Sequence, residues 1–237
     1  MDMVLPVRRE SFPDKQPAED HRIRNARRRR ERMRTQLLEA VLAVYPGEDP
    51  SAPAVIDDVI RHAGVSRGSF YKYFRSLEEA VAELGSKFAD ELAEAYSSMY
   101  ANVDDPAIRA ATGFQLFLAR AYLDSRWGSF VCHLNHLNRN AGMLRRIRMD
   151  LDAGLAASIF SIDDMDVALD LVIGAKIEGV RHLINGGGSR RYIEAMATMI
   201  LKSLGLAPDA AISVVRAASN RLHREAPAQL NWWRTFD

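Results

Sequence analysis

Twelve residues in the first third of the chain constrain its fold more than any other stretch. They are Ala63, Gly64, Val65 and Ser66, followed by Arg67 through Phe74. Gly64 permits the positive φ that a sharp reversal requires. Ser66 is a cap residue whose hydroxyl accepts an otherwise orphaned backbone N–H of the next helix. Before the turn, Pro53 to Ala63 carry Val55, Ile56, Val59 and Ile60 at helical spacing. After it, Phe70 and Phe74 stand four apart on one face of a helix expected to run through Phe74. Two short helices joined by such a turn make a helix-turn-helix (motif 55–74), whose second helix enters the DNA major groove. Arg67, Ser69, Tyr71, Lys72 and Tyr73 are left on the outer faces. Each can bond a phosphate or a base edge, and no acidic residue stands among them.

Helical periodicity continues on both sides. From Glu31 onward Met33, Leu37, Leu38, Val41, Leu42 and Tyr45 share a face, and Pro46 and Gly47 stop that helix. Ser76 with Glu79 is a capping-box pattern that opens a long helix to about Tyr100. Asp104, Asp105 and Pro106 start another, to about Leu123. Later helices are expected over about 126–138, 142–160, 164–185, 189–204 and 208–224. No stretch alternates with period two and no segment repeats, so the fold class is all-α. The expected organisation is a flexible basic arm (1–30), a three-helix DNA-binding domain (31–92) and a larger helical body (93–237).

The formal net charge of +1 conceals an asymmetry. Residues 22–34 contain eight arginines and one glutamate, including the run Arg27, Arg28, Arg29 and Arg30. Guanidinium groups offer a planar fork of donors suited to phosphate. Directly before the first helix of the DNA-binding domain, such a block can follow the DNA backbone or enter the adjacent minor groove. The single cysteine, Cys132, excludes an internal disulfide framework and fits a reducing compartment. No apolar run approaches the ~20 residues of a membrane span, and the charged N-terminus has no secretory apolar segment. The expectation is a cytoplasmic protein without a membrane partner.

At residues 63–74, followed by a serine-capped helix with an acidic first turn, the sequence resembles the TetR family of transcriptional regulators. The resemblance is close over about residues 32–92 and elsewhere extends only to length and helical layout. It implies a homodimeric repressor that binds a pseudo-palindromic double-stranded DNA operator and whose helical body holds a small-molecule effector. Carried over by position, Arg67 and Gly68 match residues that approach base edges. Ser69, Tyr71, Lys72 and Tyr73 match phosphate and groove contacts, with Thr35 as a further phosphate candidate. The family usually has a lysine after the serine that opens the fourth helix. Here Leu77 stands there, so that contact is absent or passes to Arg75.

In the body, segment 164–185 is apolar on two sides, as expected of a helix that is either deeply buried in a monomer core or held between its own core and a partner. The resemblance implies that this helix and the next form the dimer interface, with Val172, Ile173, Val180, Ile193, Met196 and Ile200 as its expected residues. Phe114, Phe117, Trp127, Phe130, His133, His136 and Met143 are candidate effector-pocket residues, and their balance suggests a mostly apolar ligand. Cys132, His133 and His136 lack a fourth ligand and make a poor metal site. No cofactor is expected. No catalytic constellation is present: there is no Gly-x-Ser-x-Gly elbow, no His-Glu-x-x-His pair and no Cys-x-x-Cys. Two other functions fit part of the sequence: a hydrophobic-ligand carrier that does not read DNA, and a constitutive DNA binder without effector.

Overall fold

The computed structural model describes residues 16–44, 54–133 and 141–236. Within them the chain forms ten α-helices and no strand. The first four are α1 (Gln16–Val44), α2 (Ile56–Ala63), α3 (Arg67–Tyr71) and α4 (Leu77–Tyr100). The body adds α5 (Pro106–Leu123), α6 (Ser125–His133), α7 (Ala141–Ala156), α8 (Met165–His182), α9 (Arg190–Ser203) and α10 (Pro208–Gln229). No helix among the described residues is long and apolar enough to cross a membrane.

The described residues form two apolar cores. Leu37, Leu38 and Val41 of α1, Val59 of α2, Phe70 and Phe74, and Leu77, Val81 and Leu84 of α4 close the first. The second is built around α5, whose residues 111–121 are all buried because the helix is covered by α4 and by α6 to α10. Two helices tie the cores together. α4 puts its first half into the N-terminal core and its second half, through Leu92, Tyr96 and Met99, into the body. α6 sends Phe130 into the N-terminal core and Trp127 into the body. Phe88 of α4 meets both rings edge-on, with centroids 5.5 Å from Phe130 and 6.3 Å from Trp127.

The helix ends follow local chemistry. Ser66 Oγ accepts from the Ser69 N–H (3.1 Å), and Asp105 caps α5 with Pro106 at its first position. At α4 the Ser76 hydroxyl accepts from Glu79 N–H, while the Glu79 carboxylate accepts from the Arg75 rather than the Ser76 backbone. α8 ends in a π-helical turn, Leu183–Gly187, where Gly186 takes a φ of +83°. The C-terminal aromatics dock on α5 and α10: Phe236 lies 5.0 Å from Tyr122, and Trp232 lies under the Arg120 guanidinium at 5.0 Å.

One element corrects the sequence reading. Residues 16–30, expected within a flexible arm, are helical and continuous with α1. Every described side chain from His21 to Arg32 is exposed, so no apolar stripe announces this part of the helix. It rests on good helix formers, on Pro17 in the first turn and on an Arg27–Glu31 ion pair of 3.1 Å at i,i+4 spacing.

Replacing Phe130 by alanine removes the side chain with which α6 enters the N-terminal core. The expected loss is about 3–5 kcal/mol of stability, the usual cost of truncating a buried Phe, measured by urea denaturation.

Candidate functional site

The helix-turn-helix is built as its spacing implies. Gly64 closes α2 with φ +65° and ψ +34°, and Val65 N–H donates to Ile60 O at 3.0 Å. Phe70 and Phe74 are buried with ring centroids 5.7 Å apart, which pins α3 to the core and turns its other faces outward. Arg67, Gly68, Tyr71 and Lys72 are exposed, and Ser69 is half-buried. Nothing but the Ser66 hydroxyl, at 3.9 Å, lies within 4 Å of where a Cβ on Gly68 would stand, so the backbone there is open to close approach. Arg67 is held by Asp57 of α2 at 3.1 Å, in a pair more than half exposed on both sides.

Tyr73 differs from its expected place. It follows the end of α3 and is half-buried against the N-terminal core, and its carbonyl accepts from Arg34 Nη1 at 3.1 Å. Arg34 also makes a two-pronged pair with Glu83 of α4 and lies 4.6 Å over the Phe74 ring. This contact holds the Glu83 carboxyl below its ordinary range and the Arg34 guanidinium above its own. It joins α1, α4 and the end of the recognition segment.

The basic run divides by helical phase. Arg29 and Arg30, with Asn25 and Ala26, face Lys72 and Tyr73 across an open cleft of about 690 Å³. Arg28 and Thr35 line another surface with Glu31, Arg32 and Glu39, and Arg27 is paired with Glu31. Only half of the four-arginine run therefore shares a concavity with the recognition segment.

In the body, the candidate effector residues do not gather around one cavity. Phe114 lines the cavity between α4, α5, α7, α8 and α9, and Phe117 borders it through Lys176. Phe130 belongs to the N-terminal core, and Trp127 is the buried partner of Phe88 and Phe117. His133 is on the surface with Nδ1 2.7 Å from Ser129 O, Met143 is half-buried on α7, and His136 lies outside the described residues. No group of three or more His, Cys, Asp or Glu fit for a metal occurs among the described residues.

The cavity, of about 30 Å³, has space for one or two waters. Its polar residues were missed in the sequence: Tyr100, Asp150 and Lys176. Asp150 accepts from Arg109 Nε at 2.9 Å and also bonds Tyr100. Burial nevertheless raises its carboxyl pKa, against the pull of Arg109. Burial also pushes the Tyr96 and Tyr100 hydroxyls up. Lys176 is 4% exposed, and burial brings its ammonium down to about 8. The readable signal was its register: Val172, Lys176 and Val180 are four apart, a lysine on an otherwise apolar stripe.

A compact helix-turn-helix joined to a larger helical body with an internal cavity defines a class, the two-domain transcription regulators. Residues 52–84 match the model of the bacterial regulatory proteins of the tetR family, and residues 105–217 match the tetracyclin repressor-like C-terminal domain. The chain belongs to the TetR family. Among curated proteins none matches the sequence. Similar folds among solved structures include RolR in complex with its ligand resorcinol (TM-score 0.58, 21% identity, 79% of this chain and 95% of that one). Ligand-free RolR has a TM-score of 0.59 at 21% identity, covering 77% and 95%. A γ-butyrolactone receptor, described as ArpA-like, has 0.60 at 14% identity, covering 83% and 99%.

Proposed function

We propose that this chain is a repressor that binds a pseudo-palindromic operator as a homodimer and leaves it when a small molecule occupies the cavity of the body. The observation that carries the DNA-binding reading is the exposure of Arg67, Tyr71 and Lys72 on the recognition segment, with Arg29 and Arg30 facing Lys72 across the cleft. α3 supplies groups for base edges and phosphates, and the basic helix supplies guanidinium forks for the flanking backbone. Four adjacent like charges on α1 repel one another, and phosphates relieve that repulsion. The exposed Arg67–Asp57 pair positions the guanidinium before DNA arrives and gives way to a base edge.

A partner would meet α8 and α9 on their outer strips. Val172, Val180, Ile193 and Ile200 are buried in the subunit's own core, and Ile173 and Met196 are half-buried. That leaves Val167 (64% exposed), Leu171 (45%) and Met199 (63%) as large apolar side chains in solvent. Gly174, on the same strip of α8, has open space where a Cβ would stand and allows close approach of a second helix. Pairing about a twofold axis across this face buries the strip and presents two copies of α3 to two half-sites.

The small cavity favours a second reading, a constitutive DNA binder with a closed body. Against it stands Lys176, since a core built only to stay closed gains nothing from a buried ammonium that no carboxylate touches among the described residues. RolR, which shares the fold, is described with a bound ligand.

Two outcomes test the proposal. Charge-neutral Arg29→Gln with Arg30→Gln should reduce the slope of log affinity for duplex DNA against log salt by about two; the same change at Arg27 and Arg28 should alter it much less. An undiminished slope in the first variant removes the basic helix from the interface. Leu171→Glu with Met199→Glu should give a monomer of unchanged helix content in analytical ultracentrifugation; a stable dimer would place the interface elsewhere.

A further inference from the structure

The body cavity contains a cation that no carboxylate touches: Asp150 acts on Lys176 only through its field. Lys176 makes no hydrogen bond among the described residues, and no carboxylate oxygen among them lies within 4.0 Å of its Nζ. Its nearest described partners are ring faces, Phe117 at 5.1 Å and Tyr96 at 5.8 Å from Nζ. Asp150, the one carboxylate among the described residues that line the cavity, is already engaged by Arg109 and Tyr100. A second guanidinium, Arg146, stands over Tyr96 and Tyr100 at 5.8 and 5.7 Å. Three cations thus surround one carboxylate, and the surplus is concentrated at the ammonium that faces the cavity.

Resting on the reading of this cavity as the effector site, we infer that the effector is a small organic acid, bound as its anion with the oxyanion on Lys176 and an apolar, flat body against the aromatic wall. The chemistry runs as follows. A buried charge is costly unless paired, and a carboxylate supplies to Lys176 the partner that Asp150 does not. Tyr100 and Phe114 on the cavity wall, with Tyr96 and Phe117 beside Lys176, present apolar faces suited to a planar ring or short chain. The closed cavity is too small for such a molecule, so uptake requires α7, α8 or α9 to move apart. The ion pair therefore forms only in the widened state, and this is the differential affinity that a ligand needs to shift a conformational equilibrium. The uncharged analogue of the same shape fills the space without neutralising the lysine and loses that advantage.

The test compares acetate, benzoate and phenylacetate with acetamide, benzamide and phenylacetamide. Binding to the full-length wild type and to Lys176→Met is followed by calorimetry and thermal shift at pH 7. At least one acid should bind the wild type about tenfold or more tightly than its amide, the discrimination expected when a buried polar group is left unpaired by the wrong ligand. In Lys176→Met, a substitution of similar shape, that ratio should fall to near one. Equal binding of each acid and its amide to the wild type would overturn the anion assignment while leaving the cavity as the ligand site. Absence of binding by either series would remove both. The wild-type comparison stands whether or not the variant folds.

Discussion

The arrangement depends on one aromatic contact, the meeting of Phe130, Phe88 and Trp127 where α6 crosses α4. α6 is short, and its two large side chains belong to different cores. Close-packed interiors transmit displacement because they have no slack to absorb it. A shift of α6 driven from the body must carry Phe130 with it, and Phe130 sits among residues of α1, α2, α3 and α4. The Arg34–Glu83 pair then determines what that displacement does. It binds α1 to α4 and, through the Tyr73 carbonyl, to the end of the recognition segment, so the DNA-binding domain responds as one body.

The electrostatic layout has the same division. Outside, the basic groups on α1 and α3 are solvated and cost little to maintain without DNA. Inside, Lys176 and Asp150 are charged groups in a low-dielectric core, where each alteration of partner carries a large free-energy change. On the proposed reading, a ligand that neutralises Lys176 drives a motion that the outer groups feel as a changed spacing between two recognition helices. In a twofold dimer a small rotation of each DNA-binding domain is enough to misplace one half-site relative to the other.

Much of this was legible in the sequence, for stated physical reasons. Gly64 and Ser66 mark the turn by backbone conformation and capping, both local properties, and the helices around them follow from apolar periodicity. The helical extension of α1 was not legible, since a fully exposed helix has no apolar stripe to betray it. Phe130 read as a pocket residue because sequence periodicity reports burial and not which core does the burying. Tyr73 has the polar hydroxyl of a groove contact, yet it follows the last turn of α3, where the chain bends back toward the core. Lys176 was not legible because a single lysine beside apolar positions of a helix ordinarily keeps its charged head in water. The most apolar positions of α8 and α9 pack within the subunit, and the outer strip of Val167, Leu171 and Met199 is the less regular one in the sequence.

The central claim is that α3 and the basic helix read DNA as a pair of symmetric copies. Selection of genomic fragments by the purified protein at physiological salt tests it most directly. The account predicts recovery of a pseudo-palindromic sequence whose half-sites are separated by about one helical turn, or a multiple of one, as a twofold pair of recognition helices requires. Recovery of fragments without a shared sequence, or of none, would contradict it.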